Sequence, residues 1–376
     1  MTESFASWCD QSRMRWAMAG AFLVGVIATL IATGLRVEGA NFPNAALAGV
    51  ALAGITARYR QQARAPQLSA TAEALLLWVL IMTAGILLSY AAATSGMPYR
   101  DAEFHAADMM LGFDWQAYAA LIDASPTLTA LCRFAYTSLI PQTFLLVIAL
   151  AVAQKYGTLH RFLVALVISL AVTCISFALA PAVSVYEYMK IPLESFENLR
   201  PISNFQHVEP IAGLRSGDIT IINLSDMHGL ITFPSFHACG AILLAWGFWS
   251  VPLLRVPALV LNGLMLMSTP TDGAHYLVDI IAGVALAGAA IWLSGRLGQR
   301  STADHAVAGQ RPAAPDRRAA QREAEQGGDG PRHAAGQAGE SEPHHQRGGK
   351  RRSGDVKLGA HQDGRLASQH ITDNAA

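Results

Sequence analysis

Two histidines stand in settings that suit phosphoester chemistry. His237 lies in Pro234–Ala238 (PSFHA) and His275 in Gly273–Asp279 (GAHYLVD), and each string opens a long apolar segment. His275 and Asp279 are four residues apart, a spacing that places both on one face of a helix. A hydrogen bond from the imidazole Nδ1–H to the carboxylate would orient the ring and leave Nε2 as a nucleophile. An Asp inside an apolar segment is costly without a partner, so the pairing also answers a solvation problem. A purely structural His–Asp pair tying two helices together fits the same spacing. In the other string, Pro234 suits a first helical position and puts His237 in the first turn. Two helix N-termini converging there would turn positive dipole ends and free N–H groups towards one cavity, a natural anion site. Ser235 could add a hydroxyl or backbone donor. Asp272 occupies the place of an N-cap, followed by Gly273 and Ala274, small residues that let a substrate approach the backbone.

The elements that must position these residues are membrane spans. Hydrophobic residues form 52% of the chain and charged residues 14%, and the apolar ones cluster in runs long enough to cross a hydrocarbon core of roughly 30 Å. Eight spans are expected, at 16–35, 43–57, 74–93, 129–153, 161–180, 233–251, 253–270 and 274–294; the short Ala/Gly-rich second one could be re-entrant. The first follows Arg13 and Arg15 and lacks a small-residue cleavage site, so it reads as an uncleaved span. Residues 104–124 mix aromatics, Met and acids at helical spacing and are expected to lie along the interface. The fold class that follows is an all-α polytopic membrane bundle. It comprises N-terminal spans in 1–73, a six-helix catalytic bundle in 74–300 and a disordered polar tail in 301–376. The tail contains no Phe, Trp, Tyr, Met or Cys and cannot bury enough apolar surface to offset ordering entropy. Its His344–His345 and Lys350–Arg352 read as solvated residues, with a weak attraction to anionic lipid as the alternative.

Charge counting orients the bundle. Ten Arg and Lys residues lie near span ends on the side of the N-terminus, against five on the other side, which makes the first side cytoplasmic. Both motif histidines then face away from the cytoplasm, beside the long 181–232 loop, in an inner or plasma membrane. Basic residues are dispersed, without interleaved aromatics, which gives no footprint for a nucleic acid. Cys9, Cys132, Cys174 and Cys239 lack metal or redox spacing, and the last three fall in expected spans as buried thiols.

GLITFPSFHA (Gly229–Ala238) and PTDGAHYLVDIIAG (Pro270–Gly283) resemble the second and third signature motifs of the type 2 phosphatidic acid phosphatase superfamily. Together with LGFDWQAY (Leu111–Tyr118) and FAYTSLIPQ (Phe134–Gln142), they are most similar to its branch of inositol phosphorylceramide synthases. The resemblance covers roughly residues 100–295. It implies a phosphatase-like core of six helices acting on a lipid phosphoester in the bilayer, with no metal and no cofactor. It implies His275 as the nucleophile of a phosphohistidine intermediate and Asp279 as its orienting carboxylate. It implies His237 as the acid that protonates the departing alkoxide and the base that activates a water or alcohol acceptor.

The chain departs from the fuller family pattern in its basic residues. Thr269 stands where the third motif usually carries an Arg, and the first motif, a Lys followed seven residues later by Arg-Pro, is absent. Arg133, in an otherwise apolar stretch, and Arg215, flanked by glycines in GLRSGD, are the candidates for holding phosphoryl oxygens. Snorkelling explains Arg133 equally well, and an ordinary exposed loop charge explains Arg215. Tyr276 either lines the pocket or anchors the interface. His207 and His228 lack a partner pattern and read as surface residues. Two other classes compete: a two-His, one-carboxylate metal site formed by His237, His275 and Asp279, and a transporter with an intramembrane His/Asp proton relay.

Overall fold

A helix satisfies its own backbone in lipid, and the apolar runs fold accordingly. The computed structural model describes residues 5–39, 42–62, 65–202, 207–224 and 227–309. The helices in chain order are α1 (Phe5–Asp10), α2 (Ser12–Thr33), α3 (Phe42–Gln62), α4 (Pro66–Ala93), α5 (Asp101–Met110), α6 (Trp115–Asp123) and α7 (Pro126–Thr137). They continue with α8 (Leu139–Val152), α9 (Tyr156–Leu179), α10 (Val185–Tyr188), α11 (Val208–Ser216), α12 (Phe236–Phe248), α13 (Arg255–Asp272) and α14 (Leu277–Gly309). Residues 310–376, most of the segment expected to be a disordered tail, lie outside the described residues.

Among the described residues, five stretches are long and apolar enough to cross a membrane: Phe5–Thr33, Pro66–Ala93, Tyr156–Leu179, Pro252–Asp272 and Leu277–Gly298. Three expected spans differ in form. The one at 129–153 is the pair α7 and α8, bent by 55° at Ser138. The one at 43–57 is α3, whose apolar part Leu47–Tyr59 is short. The one at 233–251 contains only the 13-residue α12, about 20 Å of helix at 1.5 Å per residue. Residues 104–124 likewise form two short helices, α5 and α6, separated by a turn at Gly112.

Hydrogen bonds gather the connections at two ends of the bundle. At one end a parallel pair of short strands, β1 (Arg36–Glu38) and β2 (Ile221–Asn223), joins the α2–α3 connection to the long loop after α9. There Arg100 N–H donates to the Pro181 carbonyl at 2.8 Å and Val185 N–H to that of Ala274 at 3.4 Å. At the other end, Glu73 accepts from the Trp8 indole at 2.7 Å, from Ser12 and Trp16, and from Arg15 at 3.1 Å, with both charged side chains buried. A buried pair of this kind persists because each partner would be stranded without the other.

Glycines let the helices nearest the motifs touch. A Cβ at Gly240 or Gly247 of α12 would lie 2.6 Å from Leu139 or Leu146 of α8. At Gly283 of α14 it would lie 2.4 Å from the Ser235 carbonyl oxygen, so α14 passes directly against the start of α12. Backbone has little room to yield there. Gly283→Ala is expected to destabilise the protein by about 1–3 kcal/mol. Gly288→Ala, on the same helix with open space around it, is expected to stabilise it by up to about 1 kcal/mol. Unfolding in detergent micelles measures both, and equal effects would show that the contact imposes no constraint.

Candidate active site

The turn between α13 and α14 carries the second motif, and every side of it is tied down. The last carbonyls of α13 accept from outside the helix: Pro270 from the Trp115 indole at 3.3 Å, Thr271 from the Tyr186 hydroxyl at 2.9 Å and Met267 from the Tyr118 hydroxyl at 2.6 Å. Trp115 and Tyr118 belong to the LGFDWQAY stretch, which thereby acts as a cap on α13. The chain reverses through Gly273 and Ala274, the latter at φ 57°, a left-handed conformation that an alanine holds only under constraint.

Helix α14 begins at Leu277, three residues later than the expected start of its span. His275 therefore precedes the helix, and Asp279 in the first turn reaches back to it. The Asp279 Oδ2 lies 3.2 Å from His275 Nδ1 and accepts the Tyr276 N–H at 2.9 Å, a capping arrangement that also orients the imidazole. With Nδ1 on the carboxylate, Nε2 is the nitrogen left for chemistry. Asp108 of α5 accepts the next two N–H groups, Leu277 at 2.8 Å and Val278 at 3.0 Å. The expectation of free N–H groups at this terminus fails for that reason: carboxylates occupy them. Asp272, expected as an N-cap, is instead the last, buried residue of α13.

The first motif meets the second through backbone. Ser235 N–H donates to the Asp279 carbonyl at 3.0 Å. Ser235 is the N-cap of α12, its hydroxyl accepting the Ala238 N–H at 3.3 Å, so Pro234 lies before the helix and not at its first position. His237 is in the first turn, stacked on Tyr136 of α7 with ring centroids 3.8 Å apart and 12° between planes. A Cβ at Gly273 would fall 3.0 Å from the Tyr136 ring and 2.7 Å from the His275 ring, so only glycine leaves room there.

A cavity of about 390 Å³ opens beside these groups, bordered by His237, His275, Tyr136 and Gly273. His207 and His228 border it as well. His207 is buried, its Nε2 2.7 Å from the Val183 carbonyl, against the expectation of a surface residue, whereas His228 is exposed. Neither carries a spacing signal, because both lie on the long loop and only folding brings them in. No Lys or Arg is among the described residues that border the cavity. Arg133 is exposed within electrostatic reach of Asp272, and its guanidinium donates to the Arg200 carbonyl. Arg215 donates to the Met97 carbonyl at 2.8 Å and packs over the Tyr99 ring. Tyr276 neither lines the cavity nor anchors an interface: it is buried and its hydroxyl donates to Asp101 at 2.9 Å.

Asp101 and Asp108, seven residues apart on α5, are site-building residues that motif spacing missed; their shared helix face was the available signal. Asp101 also accepts the Val183 and Ser184 N–H groups. Burial raises both carboxyls above the usual range, and burial together with the Asp101 carboxylate raises the Tyr276 phenol. Asp108→Ala is expected to cost about 1–2 kcal/mol through loss of the α14 cap. Asp108→Asn, which keeps an acceptor oxygen, is expected to cost less, with thermal unfolding as the readout.

Among the described residues, no group of three or more His, Cys, Asp or Glu side chains is arranged to hold a metal ion. Residues 102–293, just over half of the chain, match the PAP2 superfamily, a span that includes both motifs and Asp108 of α5 and begins one residue after Asp101. No match was found among curated proteins or among solved structures. With five membrane-length helices and this match, the chain belongs to the PAP2 superfamily, a membership that points to phosphatase-type chemistry on a phosphoester in a membrane setting.

Proposed function

We propose that the protein is an integral membrane phosphatase or phosphotransferase that cleaves lipid phosphoesters through a phosphohistidine on His275. The reading rests on one observation above the others. His237 and His275, from separate segments, border the same cavity while Asp279 holds the Nδ1 of His275. In the first step His275 Nε2 attacks phosphorus, the P–O bond to the leaving group breaks, and His237 gives its proton to the departing alkoxide. In the second, His237 takes a proton from the acceptor oxygen, a new P–O bond forms and the N–P bond breaks. Water as acceptor makes a phosphatase; inositol or a lipid hydroxyl makes a transferase. The likeness of LGFDWQAY and FAYTSLIPQ to inositolphosphotransferases supports the transferase, as does a largely apolar cavity wall that keeps water away. His207 and His228 border the cavity and are better placed than Arg133 or Arg215 to meet phosphoryl oxygens. The excess of positive charge at the opposite ends of the spans supports an extracytoplasmic site.

His275→Ala and Asp279→Asn are expected to lower turnover by orders of magnitude in protein that still inserts. Label from a ³²P-phosphoester will appear as an acid-labile adduct on the wild type and not on His275→Ala. A fully active His275→Ala protein would falsify the nucleophile. Formation of a new phosphodiester from a labelled donor and an alcohol, against release of inorganic phosphate, separates transferase from hydrolase. Tyr136→Leu removes the ring stacked on His237. It is expected to slow esters of poor leaving groups at least tenfold more than nitrophenyl esters, and Tyr136→Phe to restore the wild-type pattern. An equal loss for both leaving groups would remove the link between Tyr136 and proton delivery.

A further inference from the structure

We infer that the cavity holds a single hydrocarbon chain of the substrate inside the bundle, against α4, a helix outside the segment that matches the family. The inference rests on the phosphoester reading above and deepens it. Met82, Gly85, Ile86 and Ser89 border the cavity at spacings that put them on one face of α4. From Ser89 to Met82 that face runs roughly 10 Å, from the end near the histidines into the bundle. Leu170 of α9 and Phe236 of α12 continue the wall.

The hydroxyls along this wall are turned into backbone. Ser89 donates to the Ile86 carbonyl at 2.7 Å, Thr232 to that of Ala182 at 3.1 Å and Thr137 to that of Arg133 at 3.0 Å. What remains is a cavity polar at its histidine end, with the Tyr136 ring beside it, and hydrocarbon elsewhere. That is the profile of an amphiphile with a phosphoryl head. A small void bordered by Met82, Leu139, Phe236 and Gly240 extends the same path deeper. Thr143, on that void, also donates into its own helix, to Leu139 at 2.7 Å. The volume of about 390 Å³ lies near the lower end of the roughly 300–1,000 Å³ of pockets that take drug-sized ligands. One chain of moderate length with its phosphate matches that size.

The test uses the full chain in lipid nanodiscs with n-alkyl phosphates of four to fourteen carbons, and nitrophenyl phosphate as a chainless control. Each buried methylene contributes about 0.8 kcal/mol, or about fourfold in kcat/KM, until the wall is filled. Partition into the bilayer favours long chains for every variant alike, so the ratio of long-chain to short-chain kcat/KM is the readout. Ile86→Trp and Met82→Trp, which fill the wall, are expected to lower that ratio at least tenfold. Val79→Trp, on the exposed face of α4, is expected to keep it. Ile86→Ala, which only removes atoms, is expected to move the optimum to longer chains. Wild-type ratios in all three wall variants would overturn the inference while leaving the phosphoester reading intact. If neither alkyl phosphates nor nitrophenyl phosphate were cleaved, that reading would fall. Saturable binding of radiolabelled dodecylphosphonate, weakened by Ile86→Trp and not by Val79→Trp, would still establish the chain site, and unchanged binding would refute it.

Discussion

The reversal between α13 and α14 must keep its backbone polar groups hydrogen-bonded where water is scarce, and much of the site follows from that constraint. An unpaired buried amide or carbonyl costs on the order of 1–3 kcal/mol, and this turn exposes two helix ends at once. The carbonyl end is met by Trp115, Tyr118 and Tyr186, and the amide end by Asp108 and Asp279. Asp279 closes the helix and orients His275 with the same oxygen. Capping of α14 and orientation of His275 are thus one interaction, made by the Oδ2 of a buried carboxylate.

That turn is held from both sides. On one, Asp101 ties Tyr276 to the Val183–Ser184 backbone, so α5 and the long loop brace the motif together. On the other, the start of α12 lies against Gly283 and Ser235 bonds to the Asp279 carbonyl. Tyr136 fills the remaining gap, one face on His237 and its edge over Gly273. Small residues at 273 and 283 matter because close helix approach in a membrane relies on van der Waals fit in place of a hydrophobic drive.

The cavity combines this rigid polar corner with a wall built mostly from apolar side chains. Imidazoles from four places in the chain converge there, whereas no Lys or Arg among the described residues borders it. Guanidinium groups at Arg133 and Arg215 find backbone carbonyls instead, as charges at the end of a bundle do when nearby carbonyl oxygens are in reach. Far from the cavity, Glu73 gathers Trp8, Ser12, Arg15 and Trp16 at the opposite end of the bundle. That buried cluster fixes the N-terminal helices, which lie before the family segment.

Local chemistry in the sequence determined a good deal. Runs of apolar residues required membrane helices, and the four-residue separation of His275 and Asp279 pointed to their contact, which Asp279 makes by reaching back from the first turn of α14 to the residue before the helix. The PSFHA string marked a helix start correctly to within two residues. Other features depended on residues far apart in the chain. Asp101 and Asp108 meet the second motif across some 170 positions; Asp108 falls in the stretch expected to lie along the interface and Asp101 just before it. His207 and His228 sit in a loop without periodicity, so nothing local pointed them inwards. Local context made Arg133 and Arg215 candidates for holding phosphoryl oxygens and Ser235 for an added donor, and left Tyr276 between lining the pocket and anchoring the interface. The folded chain engages their polar groups with neighbouring backbone or with Asp101. Periodicity is a property of the nearest few residues, whereas the partner of a buried polar group is whichever donor or acceptor packing delivers, and only the tertiary structure decides that.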